Sequence, residues 1–315
     1  MAALRAWQGS ALEGPSRRVL AASADGLARL LRYLPALSAP AGWARVYPAH
    51  GAARAEVALF LGCVARELDG RTITAAIRVL ARLGYTVRVP AGQGCCGAIY
   101  LHDGEEAAAL EQVRRNLRAF AESPKGPIVS VTSGCAATLA EYAHLRGLEP
   151  GLRQGAAEFS ARVYEVTDLL AREPWPESVR LAPLAARVAV HEPCSARNVL
   201  RCAPAPYEVL GRIPGVDLVA LPGNEFCCGA AGAYMVTQPQ MADRLREGKL
   251  NSIAATGAAT IVTVNLGCAL HLSAGRLHGG PMPEVVHPLV LLDRQVADSP
   301  PLVPAGSQFK DTDTP

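Results

Sequence analysis

The sequence predicts an α/β protein of two tandem, pseudo-symmetric repeats. Each carries a thiol site in the loops after the carboxyl ends of its strands. Three observations predict this. Short β-branched runs alternate with helical stretches, the pattern of parallel α/β packing. The same order of runs occurs twice, with a period of roughly 130 residues, far longer than a solenoid repeat. Eight cysteines fall at matching places in the two halves.

The cysteines set the register of the repeat. Cys63 is followed after 31 residues by Cys95-Cys96-Gly97, and 38 residues separate Cys96 from Cys135. Cys194 is followed after 32 residues by Cys227-Cys228-Gly229, and 38 residues lie between Gly229 and Cys268. The flanking runs match as well. Val57 to Cys63 corresponds to Val188 to Cys194, Ile128 to Cys135 to Ile261 to Cys268, and Val163 to Leu170 to Val285 to Leu292.

Taken in order, residues 1–54 read as a basic N-terminal helix and linker. They hold seven arginines against Glu13 and Asp25, with a leucine stripe (Leu20, Leu27, Leu30, Leu31, Leu34) that Pro35 ends. This segment either docks on an acidic partner or membrane surface, or packs on the main body. Residues 55–184 form the first repeat. Leu59 to Cys63 is a strand running into a loop, and Thr72 to Leu83 fits a helix with Ile73, Ile77, Val79 and Leu80 apolar. Glu105 to Glu122 fits another, with Leu110, Val113, Leu117 and Phe120 on one face. Residues 185–295 form the second repeat, and 296–315 a flexible tail.

Composition excludes little. The chain has 315 residues, is 50% hydrophobic and 19% charged, and so has room for two real cores. A net charge of +3 argues for no particular partner, and no nucleic acid is expected. No apolar run approaches the roughly 20 residues of a membrane span, and no secretory pattern opens the chain. Nine cysteines in that setting favour reduced thiols and a cytoplasmic location.

Four thiols converging from separate loops meet the ligand demand of an iron–sulfur cluster, or of zinc. The type of ion stays open at this level, because four thiolates also satisfy tetrahedral zinc. Adjacent cysteines reach one centre only in a tight turn, since in a strand they face opposite ways. Gly97 and Gly229 permit that turn through positive φ and close backbone approach. Gly62, Gly134 and Gly267 are expected to serve likewise. A vicinal disulfide in each pair would leave Cys63, Cys135, Cys194 and Cys268 unexplained. Cys202 has no counterpart in the first half and reads as a buried apolar residue. His271 reads as a surface or capping histidine, and His191 as either a packing residue or a partner of the cluster.

The doubled cysteine pattern resembles the cysteine-rich CCG domain pair. That pair occurs in heterodisulfide reductase, in the iron–sulfur subunit of glycolate oxidase and in a lactate-utilisation iron–sulfur protein. Gln93 to Gly97, Thr132 to Cys135, His191 to Cys194, Phe226 to Gly229 and Gly267-Cys268 carry the resemblance over residues 55–295. Asn251 to Gly257 is most similar to the glycolate oxidase subunit. Residues 1–54 resemble the linker that precedes the pair in that subunit. A ferredoxin-like segment opens the glycolate oxidase subunit, but no cysteine precedes Cys63 here, so the segment is expected as a separate chain or not at all. Relatives of the heterodisulfide reductase type end each set in Cys-x-x-Cys. Thr138 and His271 stand at those last positions, which counts against a five-cysteine cluster and direct disulfide reduction. Ser195 stands where relatives often carry histidine.

The resemblance implies one or two clusters of [4Fe–4S] type, with Cys63, Cys95, Cys96 and Cys135 holding one site. Cys194, Cys227, Cys228 and Cys268 hold the other. Zinc in one repeat, the first by preference, is the alternative. The implied role is electron transfer from an FAD-containing dehydrogenase subunit that oxidises glycolate, lactate or a similar 2-hydroxy acid. Electrons would pass onward, to quinone at the inner membrane face for example. A zinc-bearing assembly module and a disulfide reductase-like subunit are the other readings. The chain has no Gly-x-Gly-x-x-Gly fingerprint after a strand, so the two-electron chemistry is expected on a partner.

Overall fold

The computed structural model describes Gln8 and residues 30–35, 42–123, 125–275, 277 and 281–296. The leucine stripe at 20–27 and the tail beyond 296 lie outside the described residues.

The first sheet has five strands: β1 (Val46–Tyr47), β2 (Ala55–Phe60), β3 (Tyr85–Arg88), β4 (Ile128–Ser130) and β5 (Val163–Glu165). Their order is β1-β3-β2-β4-β5, parallel except for β1. The second sheet is β6 (Arg187–His191), β7 (Asp217–Ala220), β8 (Thr260–Thr263) and β9 (Glu284–Val286), in the order β7-β6-β8-β9 and all parallel. Without β1 the two sheets have one topology, so the duplication read from the cysteines holds for the backbone. The antiparallel strand β1 lies within the stretch read as linker. The first sheet therefore begins at Val46 rather than at residue 55.

Between the strands run α1 (Val64–Leu68), α2 (Gly70–Arg82), α3 (Ala98–His102), α4 (Glu106–Ala121), α5 (Ser133–Ala140), α6 (Pro150–Ser160) and α7 (Val166–Arg172). The second repeat adds α8 (Ala205–Leu210), α9 (Tyr234–Thr237), α10 (Pro239–Thr256), α11 (Leu266–Ser273) and α12 (Pro288–Gln295). Helix α2 shows why these residues form these elements. Asp69 Oδ1 accepts a hydrogen bond from Thr72 N at 3.3 Å and caps the first turn. Ile73, Ala76, Ile77 and Leu80 follow at helical spacing, all buried.

Alternation along the strands sorts the core into layers. Val57 and Leu59 of β2 and Val188 and Val190 of β6 join one central cluster, together with apolar side chains of α2, α7, α8 and α12. Ala58 and Phe60 face an outer cluster with α4, α5 and α6, whereas Ala189 faces one with α10 and α11. The molecule is thus five layers, helix/sheet/helix/sheet/helix, with the middle helical layer shared. In that layer α2 packs on α12, and α7 on α8. Each pair joins an early helix of one repeat to the last of the other, the signature of a pseudo-two-fold axis. Glu165 and His287, equivalent positions at the starts of α7 and α12, face each other there. Their Oε1 and Nε2 atoms are 3.4 Å apart and both side chains are buried. Neither repeat covers its inner face alone, which is why the two form one body.

Candidate metal centres

Strand β2 is flanked by β3 on one side and β4 on the other, and β6 in the same way by β7 and β8. The order in which strands are added therefore switches sides between the parallel neighbours β2 and β4, and between β6 and β8. The crevice at the carboxyl ends beside such a switch collects ligands in open α/β sheets. Cys63 leaves β2 as the N-cap of α1, and Cys194 leaves β6 at the start of a single π-turn, Ser195–Val199. Cys135 and Cys268 do not sit in strand-end loops, as the sequence suggested. They lie in the first turns of α5 and α11, after the N-cap residues Thr132 and Asn265. Asn265 Oδ1 accepts from Cys268 N at 3.2 Å.

The cysteine pairs arrive from the loops after β3 and β7. Gly97 and Gly229, with φ of 90° and 92°, reverse the backbone behind each pair. Their amides donate to the Sγ atoms of Cys95 and Cys227 at 3.4 and 3.3 Å. Gly62 also has positive φ. Gly134 and Gly267 do not, because both are helical. They leave room instead: a Cβ at either would meet the Asn265 side chain, at 3.1 and 3.2 Å.

All eight cysteines are free thiols. In the first repeat Cys63 and Cys95 Sγ are 3.4 Å apart, and Cys96 pairs with Cys135. In the second, Cys228 and Cys268 Sγ are 3.1 Å apart, and Cys194 pairs with Cys227. The structure therefore places the thiols of each half in close pairs. Thiols this close do not all ionise without a counter-charge. Hydrogen bonding to Cys95 and then burial push the Cys63 thiol well up, and Cys135 does the same to Cys96. Cys227 pushes Cys194 and Cys228 up, while its own thiol is held down by their hydrogen bonds. A bound cation removes that conflict, since thiolates are the ligating form. Soft thiol donors, positive-φ glycine cradles and a sheltered sheet edge fit an iron–sulfur or zinc group.

Polar side chains that sequence reasoning missed hold these loops. Gln93 Oε1 accepts from Leu61 N at 2.7 Å, and its Nε2 donates to Leu59 O at 3.2 Å, tying the pair loop to the end of β2. Asn224 repeats the clasp on β6 through Glu192 N and Val190 O. Asn116, fully buried on α4, accepts from Gly94 N and donates to Cys95 O and to the Tyr142 hydroxyl. Tyr142 in turn donates to Cys96 O. Lys249 stands at the matching place on α10 and donates to Gly223 O. The signal that marks Asn116 is a polar residue one turn past Val113 on an otherwise apolar face.

The two sites abut. Ser133, two residues before Cys135, and Ser195, next to Cys194, have Oγ atoms 2.8 Å apart, with Asn265 Nδ2 donating to both. The second site opens into a cavity of about 620 Å³, lined by Cys194, Cys227, Cys228, Cys268 and His191 together with His102, Asp103 and Gly134 of the first repeat. His191 ends β6 with its ring buried and Nδ1 2.9 Å from Thr263 Oγ1. Burial, reinforced by Lys249, drives its pKa down to about 3 and keeps it neutral. Cys202 is buried among Ala196, Ala205 and Val264, as expected, and joins neither set. His271 is not at the surface, contrary to expectation. It is fully buried, with Nε2 3.1 Å from Ala242 O and its ring against Tyr33.

The cysteine-rich domain (CCG) model matches the chain twice, over residues 57–140 and 188–273. The protein belongs to the cysteine-rich domain family. Each match covers three neighbouring parallel strands of one sheet with the helices between them, leaves out β1, β5 and β9, and ends just after Cys135 or Cys268. Among curated relatives, the chain is 33% identical over 228 residues to the glycolate oxidase iron–sulfur subunit of Escherichia coli, covering 70% of this chain and 54% of that one. It is 29% identical over 231 residues to the probable glycolate oxidase iron–sulfur subunit of Bacillus subtilis, covering 73% and 52%. It is 30% identical over 222 residues to lactate utilization protein A of Bacillus velezensis, covering 70% and 92%. The chain thus spans about half the length of the glycolate oxidase relatives and nearly all of the lactate-utilisation one. Among the described residues no helix is long and apolar enough to cross a membrane.

Proposed function

We propose that this chain is the iron–sulfur subunit of an oxidoreductase acting on a 2-hydroxy acid such as glycolate or lactate. It takes electrons from a flavin-bearing partner subunit. The observation that carries this reading is the pair of four-thiol sets, brought side by side at the Ser133–Ser195 contact. Cys63, Cys95, Cys96 and Cys135 hold one group, and Cys194, Cys227, Cys228 and Cys268 the other. The groups, of [4Fe–4S] type, supply one-electron redox chemistry at cysteine-ligated iron. The protein's own part is to hold the thiols, exclude water and set the distance between sites. The partner docks over the metal edge. Val64, Ile99, Tyr100, Val199 and Phe226 are exposed large apolar side chains, each within five residues of a ligand cysteine. Apolar side chains gathered at one edge are the usual core of a protein interface.

The test is iron, acid-labile sulfide and zinc per chain on protein purified without oxygen. About eight iron with matching sulfide is the expected result. About four iron with one zinc would keep one redox site and make the other structural. Zinc alone, after attempted reconstitution, would overturn the electron-transfer reading.

A further inference from the structure

We propose that His191 supplies a nitrogen donor to the metal group of the second repeat, so that the two sites differ chemically. The inference rests on the reading of the cysteine sets as metal sites. A ring nitrogen of His191 and the Sγ atoms of Cys228 and Cys268 all lie within 4.8 Å of one another, and all three residues are buried. The ring lines the same cavity as the four cysteines. Nδ1 is engaged by Thr263 Oγ1 at 2.9 Å. That is the outer hydrogen bond that fixes tautomer and ring plane in metal-ligating histidines. The proton stays on Nδ1, donated to the hydroxyl, and the Nε2 lone pair goes to the metal.

The first repeat provides the internal comparison. Strand β2 pairs with β4 as β6 pairs with β8, which sets Phe60 opposite Ser130 where His191 stands opposite Thr263. The first set therefore has four sulfur donors. The second has those four equivalents plus an imidazole aimed from the strand end. Phe60 fills the equivalent strand end within the apolar outer cluster, so the place itself demands no polar ring. The closeness of a His191 ring nitrogen to two thiol sulfurs is what marks it as a donor.

The test uses the full chain reconstituted without oxygen with ferrous iron and sulfide, reduced, and read by pulsed electron paramagnetic resonance. A strong nitrogen hyperfine coupling is expected, changing isotope pattern when histidine is ¹⁵N-labelled and disappearing in His191→Phe. Thr263→Val, which removes the Nδ1 partner, should shift the coupling while iron content stays the same. The label needs no substitution, and a coupling that survives in labelled His102→Gln, the other histidine lining the cavity, assigns it to His191 even if His191→Phe fails to fold. Bound iron without a histidine nitrogen coupling in the labelled wild type overturns the role of His191 alone. A coupling that persists in folded His191→Phe does the same. Failure to bind iron at all would instead overturn the metal-site reading beneath it.

Discussion

Asn116→Ala tests whether the first thiol site is held by a buried polar clasp. The side chain is fully buried and makes three hydrogen bonds, from Gly94 N at 2.8 Å, to Cys95 O at 2.7 Å and to the Tyr142 hydroxyl at 2.9 Å. Truncation orphans two backbone groups in the turn that presents Cys95 and Cys96. Tyr142 keeps its bond to Cys96 O. An orphaned buried polar group costs roughly 1–3 kcal/mol. Gly94 and Cys95 are only half-buried, so water recovers part of that. A total of about 2–4 kcal/mol is left, a large share of the roughly 5–15 kcal/mol of a typical domain. With a urea m-value of about 3 kcal/mol/M, the midpoint should fall by about 1 M. Measured on metal-free protein, that shift isolates the hydrogen bonds from the metal. The loaded variant should lose metal from the first site and keep it at the second, whose loop relies on Asn224 and Lys249. An unchanged midpoint together with full loading of the first site would refute the reasoning.

Other expectations follow from the same geometry. A Cβ at Gly229 would lie 2.5 Å from Ala242 O, whereas one at Gly97 meets nothing nearer than 3.5 Å. Gly97→Ala should therefore cost only the left-handed strain of about 1–2 kcal/mol. Gly229→Ala should cost about 3 kcal/mol or more through added overlap, and equal urea midpoints for the two would argue against it. Glu284 is bound by Arg294 at 2.8 and 2.7 Å and by Arg71 of the other repeat at 3.1 Å, and Arg294 foremost holds its carboxyl below the usual value of 4.5. Its stabilisation is present above that value and lost as pH falls through the lowered one. The amount is at most about 1 kcal/mol because the cluster is largely solvent-screened. Urea midpoints at neutral and acid pH should show a smaller acid loss in Glu284→Gln than in wild type, and identical losses would remove Glu284 from the account. Cys227→Ser should abolish the second site's spectrum and leave the first, so an unaltered spectrum and metal content would remove Cys227 from the ligand set. Phe226→Ser should leave iron content unchanged and slow electron uptake from the flavoprotein partner several-fold, and an unchanged rate would move the docking surface elsewhere.

The duplication, the α/β class and the two sets of four thiols are all legible in the linear chain. Those properties are written in local order: β-branched runs, helical periodicity, and a glycine wherever two adjacent cysteines must turn together. The helices α2 and α4 begin and end within two residues of where the apolar spacing puts them. How the halves meet is settled in three dimensions alone. Burial of α2 against α12 and of α7 against α8 depends on surfaces from different repeats, and no local pattern encodes which apolar face finds which. The same holds for the polar residues around the sites. Asn116 and Asn224 read as ordinary polar residues, and Gln93 only as part of the cysteine motif, until the fold closes over them and their amides become the partners of otherwise orphaned backbone groups. His191 and Phe60 occupy equivalent strand ends. Which of them carries a ring nitrogen is plain in the sequence, but that the His191 ring meets Thr263 and the sulfurs of Cys228 and Cys268 is a juxtaposition that exists only once the sheet has formed.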